Sequence, residues 1–390
     1  MSSKPELAVS KPAKIDFIDL AAQQARIKPK LDAAIARVLE HGGYIMGKEI
    51  GEFEKQLAAF TNAKYVLSCS NGTDAMTLVL MAKNVGPGDA VLLPSFTFAA
   101  TAEVVALRGA TPIFLDITAE SFNIDPSQIE AGIARAHALG LKPVGIIPVY
   151  MFGLAPNYDA IHPIAEKHGL WVLGDAAQGF GSAINNVRAG ALTQVTTTSF
   201  FPAKPLGCYG DGGAVFTDNK ELYDIMVSLR VHGKGSDKYD NVRVGLNARL
   251  DTLQAAILIE KLTIFDDEIE ARNRIAERYT AALSDVIATP HVPAGYTSVW
   301  AQYTLIAKSE KARDGIQASL KVAGVPTMVY YPKPLHQQTA YNMFPTATGG
   351  ALPVAEDLAL RVFSLPMHPY LDAPTQDYII AKVREAVASN

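Results

Sequence analysis

The sequence predicts an α/β fold with one large, mostly parallel seven-stranded sheet and a smaller C-terminal α/β domain. Short apolar runs alternate with helical patterns from Lys64 to about Lys220, which is typical of βαβ units. After Asp251 the alternation gives way to two long helical patterns and fewer strands. A chain of 390 residues, 49% of them hydrophobic and 19% charged, has enough apolar surface for two large cores.

The predicted elements follow from these patterns. The strands of the large sheet are expected at Lys64–Ser68, Ala90–Pro94, Thr111–Leu115, Val144–Val149, Leu170–Leu173, Thr196–Phe200 and Gly213–Thr217. Helices are expected at Thr73–Asn84, Thr97–Arg108, Asp159–His168, Lys220–Arg230, Thr252–Leu262 and Phe265–Leu283. The remainder predicts a strand at Val299–Ala307, a helix at Glu310–Ala323, a strand at Val325–Val329 and a helix at Pro374–Ala388. We therefore expect a mobile tail over 1–14, a large domain over 15–264 and a small domain over 265–390.

Charge and composition exclude several classes of function. The net charge of −4 has no basic stripe that would indicate nucleic-acid binding, and no apolar run reaches the length of a membrane span. Two cysteines, Cys69 and Cys208, are too few for a disulfide framework and suit a reducing cytoplasm. The eight histidines show no spacing typical of a metal site.

Lys204 lies between a predicted strand and the glycine-rich turn that ends in Gly212 and Gly213. Lysines such as Lys261 and Lys311 lie in charged helical patterns, where a solvated ammonium is expected. A strand that carries Lys204 inward would lower its pKa, as a Schiff-base lysine requires. The alternative is a surface lysine on a loop.

A phosphate site is predicted where the first strand of the sheet meets the next helix, at Ser70-Asn71-Gly72-Thr73-Asp74. Free N–H groups and the helix dipole favour an anion at this position. The alternative is a helix cap by Asn71 or Thr73 with no ligand. The absence of a GxGxxG motif disfavours a dinucleotide fold.

Asp175 ends the apolar run Leu170–Leu173 after one intervening glycine, at the sheet edge where parallel strands bind ligands. Such a carboxylate can keep a ring nitrogen protonated, although it could also cap the following turn. Phe96 and Phe98 follow another strand, and one of them could stack on a flat ring or belong to the core.

The order of these features resembles that of pyridoxal-phosphate enzymes of the aspartate-aminotransferase fold, fold type I. From about Ile15 to the C-terminus the chain more narrowly resembles the DegT and StrS type of nucleotide-sugar aminotransferase. The resemblance is carried by Gly42–Gly47, Asn71–Ala75, Asp175–Gln178, Ser199–Lys204, Gly245–Ala256, Pro334–His336 and Ser364–Pro369. One departure is Gly174, where relatives often carry an acid.

The resemblance implies pyridoxal 5′-phosphate as cofactor, with a role for each matching residue. Lys204 would bind the cofactor covalently and carry the proton, while Asp175 would pair with the pyridinium nitrogen. The other implied cofactor contacts are Gln178 at the ring hydroxyl, Phe98 on the ring face, and Gly72, Thr73, Ser199 and Asn247 at the phosphate. Asn247 would come from the neighbouring subunit of a homodimer with shared sites.

The resemblance also implies a nucleotide-linked keto sugar as substrate and L-glutamate as amino donor. The segment around Lys204 looks like the subgroup that aminates the 3-oxo position of a UDP-linked 2-acetamido-2-deoxy-glucuronate, in surface polysaccharide (O-antigen) synthesis. Candidate substrate residues are Arg249, Arg243, His336 and Tyr331. The alternatives are amination of another nucleotide-linked keto-deoxyhexose at position 3 or 4, or a regulator that binds the cofactor without catalysis. A dehydratase is disfavoured because the dehydratases of this fold carry histidine in place of the lysine.

Overall fold

The computed structural model describes residues 12–237 and 239–390, so the predicted tail lies almost entirely outside the described residues. The α-helices are α1 (Leu20–His41), α2 (Lys48–Thr61), α3 (Gly72–Ala82), α4 (Ala100–Leu107), α5 (Ile129–Ala138), α6 (Tyr158–Lys167), α7 (Lys220–Arg230), α8 (Thr252–Leu262), α9 (Phe265–Leu283), α10 (Glu310–Ala323), α11 (Pro353–Arg361) and α12 (Ala373–Ala388). The strands are β1 (Tyr65–Cys69), β2 (Asp89–Pro94), β3 (Thr111–Leu115), β4 (Lys142–Ile146), β5 (Trp171–Asp175), β6 (Ala183–Ile184), β7 (Val187–Arg188), β8 (Val195–Ser199), β9 (Gly213–Thr217), β10 (Tyr296–Thr297), β11 (Tyr303–Ile306) and β12 (Val362–Leu365).

The large sheet has seven strands in the order β1-β9-β8-β5-β4-β2-β3, as the sequence predicts. Neighbours from β8 to β3 are parallel, whereas β9 is antiparallel to both β1 and β8. Strands such as β2 and β3 are nearly continuous apolar runs because both faces of the sheet are covered. The carboxyl ends of β2, β5 and β8 therefore meet at one edge, where the candidate site is built.

Helix α1 was not among the predicted helices. The Asp19 side chain caps the start of α1 by accepting from the Ala22 N–H at 2.9 Å. The helix ends at Gly42, whose φ of 65° favours glycine. Leu31 and Val38 belong to an apolar stripe that is buried against α8. The sequence signal that could have identified α1 was the 3.6-residue period of its apolar residues.

The strand predicted at Val299–Ala307 begins too early in the chain. Within that range only β11, which starts at Tyr303, forms a regular ladder, and its partner is β12. Trp300 has φ 49°, and the Val299 N–H donates to the Gly153 carbonyl of the large domain at 3.1 Å. This segment connects the domains, and that tertiary contact overrides its strand-like composition.

The strand predicted at Val325–Val329 is wrong. Met328 forms a single bridge with Ser364, and its neighbours do not extend it. Pro326 has no N–H to donate to a ladder, so the segment runs irregularly along the edge of the small sheet.

The small domain is built from β11 and β12 with α10 and α12 packed on them. Helix α9 belongs to both cores: Phe265 and Ile269 pack in the large domain, and Tyr279 and Leu283 pack in the small one. The boundary between 264 and 265 stays a prediction, because the helix that begins there runs from one core into the other.

Among residues 12–237 and 239–390, no helix is long and apolar enough to cross a membrane. The same residues contain no cluster of three or more histidine, cysteine and acidic side chains arranged to hold a metal ion.

Candidate active site

Lys204 lies at the tip of a tight loop that follows β8. The Lys204 N–H donates to the Phe201 carbonyl at 2.8 Å, and the loop returns to the strand through the Cys208 N–H, which donates to the Phe200 carbonyl at 2.8 Å. The Lys204 side chain is half-buried in the described chain. Burial lowers the pKa of its ammonium, and the negative charge of Asp175 partly opposes that shift. The geometry therefore favours a reactive amine at this position.

Asp175 is the last residue of β5 and is 5% exposed. Its Oδ2 accepts from the Thr101 hydroxyl at 2.9 Å, and its Oδ1 accepts from the Ala177 N–H at 3.1 Å. Burial raises the pKa of the carboxyl group, while these two donors and the Lys204 ammonium oppose the rise. The carboxylate keeps lone pairs with which it could accept from a protonated ring nitrogen.

Sequence reasoning missed Thr101. It closes the segment Pro94–Thr101, whose aromatic residues alone were interpreted. Thr97 and Thr101 are one helical turn apart, and their hydroxyls are 3.2 Å from each other. Because Thr101 and Asp175 are 74 positions apart and meet only through the fold, the local sequence carries no signal for this contact.

The predicted phosphate site has the features that an anion requires. Asn71 caps α3 by accepting from the Asp74 N–H at 2.7 Å, which leaves the N–H groups of Gly72 and Thr73 at the open end of the helix. Ser199 lies directly opposite, because a Cβ on Gly72 would be 2.8 Å from the Ser199 Cβ. The cap by Asn71 is therefore observed, and it uses a different N–H group from those that a phosphate would meet, so the phosphate site stays a prediction.

Gln178 and Tyr331 form one wall of the site, together with Phe98. The Gln178 Oε1 accepts from the Phe152 N–H at 2.9 Å, and its Nε2 donates to the Tyr331 hydroxyl at 3.0 Å. Burial raises the pKa of Tyr331 well above its usual range, so the hydroxyl stays protonated. Phe98 is 58% exposed, and its ring centroid is 6.4 Å from that of Tyr331. An exposed aromatic ring at the rim of the site suits the predicted stacking role.

His336 lies in the protein interior and has no free ring nitrogen. Its Nδ1 is 2.6 Å from the Ser95 hydroxyl, and its Nε2 is 2.9 Å from the Glu356 carboxylate. This hydrogen bond to His336 is the main cause that holds the pKa of Glu356 below its usual value. His336 therefore connects the loop after β2 to α11, and its predicted contact with the substrate stays a prediction.

The candidate residues after the loop 232–241 lie at the surface of the described chain. Asn247 and Arg243 are exposed, and Arg249 is half-buried. The Arg243 Nη1 is 3.4 Å from the Ser228 hydroxyl on α7, on the outer side of this segment. The Arg249 guanidinium makes no hydrogen bond or ion pair within residues 12–237 and 239–390.

The structure explains why a glycine, and not an acid, precedes Asp175. A Cβ on Gly174 would be 2.9 Å from the Tyr158 hydroxyl and 3.1 Å from Cε2 of Tyr150. Both tyrosines are buried, and their hydroxyls have no hydrogen-bond partner among the described residues. The space that an acid would need is occupied by these rings, so Gly174 and Tyr158 are complementary.

Taken together, the residues fit pyridoxal phosphate. The open end of α3 faces Ser199 and suits the phosphate, the buried Asp175 suits a pyridinium nitrogen, and the amine of Lys204 is close enough to Asp175 for their charges to interact. Each of these groups is polar, only partly satisfied within the chain, and directed to the same sheet edge.

Comparison with known proteins agrees with this arrangement. Residues 25–384 match the model of the DegT/DnrJ/EryC1/StrS aminotransferase family. Over 368 residues the chain is 50% identical to the UDP-2-acetamido-2-deoxy-3-oxo-D-glucuronate aminotransferase of Pseudomonas aeruginosa, covering 94% of this chain and 99% of that protein.

Solved structures give the same result. A DegT DnrJ EryC1 StrS aminotransferase from Brucella abortus superposes with a TM-score of 0.93 at 53% identity, covering 95% of this chain and 99% of that one. The structure of ntda from Bacillus subtilis with bound cofactor PMP superposes with a TM-score of 0.88 at 28% identity, covering 97% and 86% of the two chains.

Proposed function

The chain belongs to the DegT/DnrJ/EryC1/StrS aminotransferase family and is a pyridoxal-phosphate-dependent aminotransferase, and from this premise we propose its substrates. We propose that it transfers an amino group from L-glutamate to the 3-oxo position of a UDP-linked 2-acetamido-2-deoxy-glucuronate. The observation that carries the proposal is the 50% identity, over nearly the full length of both chains, to an aminotransferase of that name. A cytoplasmic location and a role in O-antigen synthesis belong to the same proposal.

The cofactor, when bound, supplies an electron sink that lowers the cost of removing a proton from the α-carbon of the amino donor. In our proposal, Lys204 holds the cofactor between reactions and its amine accepts that proton. Burial keeps the pKa of Lys204 low, which favours the neutral amine that a base must be. Asp175 keeps the ring nitrogen protonated, and Thr101 orients the carboxylate that does so.

The remaining cofactor contacts hold and orient the ring. Gly72, Thr73 and Ser199 would bind the phosphate at the open end of α3, and Phe98 would cover one face of the ring. Gln178 would meet the ring hydroxyl with the Nε2 hydrogen that the Tyr331 hydroxyl does not use. Because the amino donor would leave as its keto acid before the keto sugar binds, the kinetics should be ping-pong.

We propose a homodimer in which Asn247 of one subunit meets the phosphate in the other. Asn247 is exposed, and the segment Tyr44–Met46 next to it presents three large apolar side chains that are 42% to 48% exposed. These segments are neighbours because Ile45 bridges Asp251 and the Thr252 N–H donates to the Tyr44 carbonyl at 3.0 Å. Apolar side chains beside a polar functional segment are typical of an interface.

The dimer proposal has a complementation test. Lys204→Ala and Asn247→Ala subunits should each be inactive alone, and their mixture should regain activity because one site of each hybrid is intact. Exchange of the subunits must be demonstrated with differently tagged chains. Hybrids that form without any recovered activity would contradict shared sites.

Arg249 is our first candidate for the carboxylate of the uronate, with Arg243 second. A free guanidinium can bind a carboxylate through two charge-assisted hydrogen bonds. Arg249 has no partner among the described residues, whereas Arg243 is close to a hydroxyl on α7. The alternative role for both is an ion pair across the dimer interface.

The experiment that tests the function measures kcat/KM with L-glutamate and a panel of nucleotide-linked keto sugars. The 3-oxo uronate should be the best substrate, and Arg249→Ala should lose about thirty- to a thousandfold on it while a neutral keto sugar is little affected. Arg243→Ala tests the second candidate in the same way, and equal loss on both sugars, or no loss with either variant, would remove the reason for assigning a carboxylate pocket here. Preference for a neutral keto-deoxyhexose would favour the alternative sugar, and no turnover with any sugar or amino acid would favour the cofactor-binding regulator.

A further inference from the structure

Lys261, on α8, is a buried lysine that the proposed mechanism does not use. Its sequence context predicts a solvated side chain, and that prediction is wrong: the residue is 0% exposed. The ammonium donates to the Gly207 carbonyl at 2.6 Å and lies 4.1 Å from the ring centroid of Tyr209. Gly207 and Tyr209 both belong to the loop that carries Lys204.

A second side chain of α8 binds the same loop. The Gln254 Oε1 accepts from the Tyr209 N–H at 2.8 Å, and its Nε2 is 3.4 Å from the Tyr209 carbonyl. Gln254 and Lys261 are seven residues apart, two turns of one helix, so both lie on the face that meets the loop.

The loop between these contacts and Lys204 is short and tightly folded. A Cβ on Gly207 would collide with the carbonyl oxygen of Pro202 and lie 2.7 Å from that of Phe201. The Cys208 Sγ donates to the Phe200 carbonyl at 3.0 Å. Since the loop has little room to rearrange, a displacement at Gly207 is transmitted to the residues that precede it, including Lys204.

Burying an ammonium is costly unless it is paired, so a lysine in this position requires a compensating contact. The pKa of Lys261 falls to about 8 because of its burial, and the Cys208 thiol and the Glu268 carboxylate partly oppose the fall. The contacts that compensate for this cost are those with Gly207 and Tyr209.

We propose that Lys261 and Gln254 are positioning residues that hold the loop of Lys204 in the geometry both halves of the amino transfer require. The inference rests on the proposed role of Lys204. Because the same amine would carry the proton in each half, a displaced loop should slow both halves by the same factor and leave substrate affinity unchanged. A residue that contacts one substrate would instead slow one half or raise one KM.

The test uses the holoenzyme and follows both halves of the amino transfer separately. Single-turnover rates are measured by the visible absorbance of the cofactor, first with L-glutamate and then, from the amino form, with the keto sugar that has the highest kcat/KM in the panel described above. Lys261→Met should lower both rates by about ten- to a hundredfold with the half-saturating substrate concentrations unchanged, because small misplacements of a reacting group have effects of that size. Lys261→Arg, which keeps a cationic donor, should recover part of the rate.

A second readout is independent of turnover. Apoprotein is mixed with pyridoxal phosphate, and the rate at which the lysine-bound absorbance band appears should be lower in Lys261→Met than in the wild type. Lys311→Met, at an exposed position of α10, is the matched control and should behave as the wild type. All rates are taken well below the melting temperature of each variant, so that loss of folded protein does not contribute.

Gln254→Leu removes the other contact between α8 and the loop of Lys204. This variant tests the positioning role if Lys261→Met does not fold. Wild-type rates in both halves, or a change confined to the half-saturating concentrations, would overturn the positioning role. Lys204→Ala distinguishes a wrong assignment of Lys204 from a wrong positioning role for Lys261 and Gln254. If that variant still forms the lysine-bound band, the assignment of Lys204 fails; if it does not, and the α8 variants react at the wild-type rate, only the positioning role fails.

Discussion

The first prediction concerns the buried ion pair between Arg230 and Glu54, which lies behind the phosphate site. The Arg230 Nη1 donates to the Glu54 Oε1 and to the Ser68 carbonyl, both at 2.8 Å. The same Glu54 oxygen accepts from the N–H and the hydroxyl of Ser68, at 2.9 and 2.8 Å. Ser68 is thus held through three of its polar groups, two residues before Ser70 begins the turn into α3.

Arg230→Met should strongly destabilise the fold. The arginine side chain is 5% exposed and the Glu54 side chain 16%, so removing the cation leaves a carboxylate with little access to water. Loss of one partner of a buried pair costs about 3–5 kcal/mol, although the partial exposure of Glu54 favours the lower end. That is a large part of the 5–15 kcal/mol that stabilises a typical fold.

The assay is urea unfolding at equal protein concentration, with Glu54→Gln and the double variant measured alongside. The double variant should be more stable than the sum of the single losses implies, because it leaves no unpaired buried charge. Asp32→Asn is the control, since it breaks the exposed pair of Lys28 and Asp32 and should change the stability by less than about 0.5 kcal/mol. A loss below about 1 kcal/mol in Arg230→Met would refute the reasoning.

Three further predictions concern the site itself. Thr101→Val should raise the pKa of Asp175 further, because the carboxylate loses a hydrogen-bond donor. At low pH the carboxyl group is protonated in both the folded and the unfolded protein, so the variant should lose no stability near pH 3. Urea unfolding of the apoprotein should show the loss growing to about 1.5–3 kcal/mol at neutral pH. Gly174→Ala should cost about 1–3 kcal/mol because its Cβ meets two buried tyrosine rings, whereas Gly51→Ala, with nothing within 4 Å, should be neutral or stabilising in the same melting assay. His336→Ala should lower cofactor affinity in an equilibrium titration, because Ser95 in the loop after β2 loses its hydrogen bond to the imidazole, and unchanged affinity would leave the histidine with no role at the site.

The large sheet could be predicted because most of its strands are buried apolar runs between turn signals, and β8, which carries three threonines, is β-branched and buried. The seven predicted runs all occur as strands, and the helices over Lys220–Arg230, Thr252–Leu262 and Phe265–Leu283 have the predicted bounds. Local pattern and tertiary environment agree in these elements, so either one identifies them. They conflict at Val325–Val329 of the small domain, where the predicted strand does not form, although the helix predicted at Glu310–Ala323 has the observed bounds.

Residues whose role depends on a partner far along the chain were beyond local reasoning. Lys261 lies in a charged helical pattern, and only its contact with Gly207, 54 positions away, explains its burial. Thr101 is 74 positions from Asp175, and nothing in the local sequence relates the two. Lys204 and Asp175 were accessible to prediction because the strand that precedes each of them determines where it lies.

The central claim is that Lys204 is the residue that binds the cofactor. Lys261 provides a demanding comparison, because it is fully buried and burial lowers its pKa as it lowers that of the half-buried Lys204. Holoenzyme is reduced with borohydride, digested, and the peptide that carries the cofactor is identified by mass spectrometry. The account predicts the cofactor on the peptide containing Lys204, with none on that containing Lys261; recovery on Lys261 or any other lysine would contradict it.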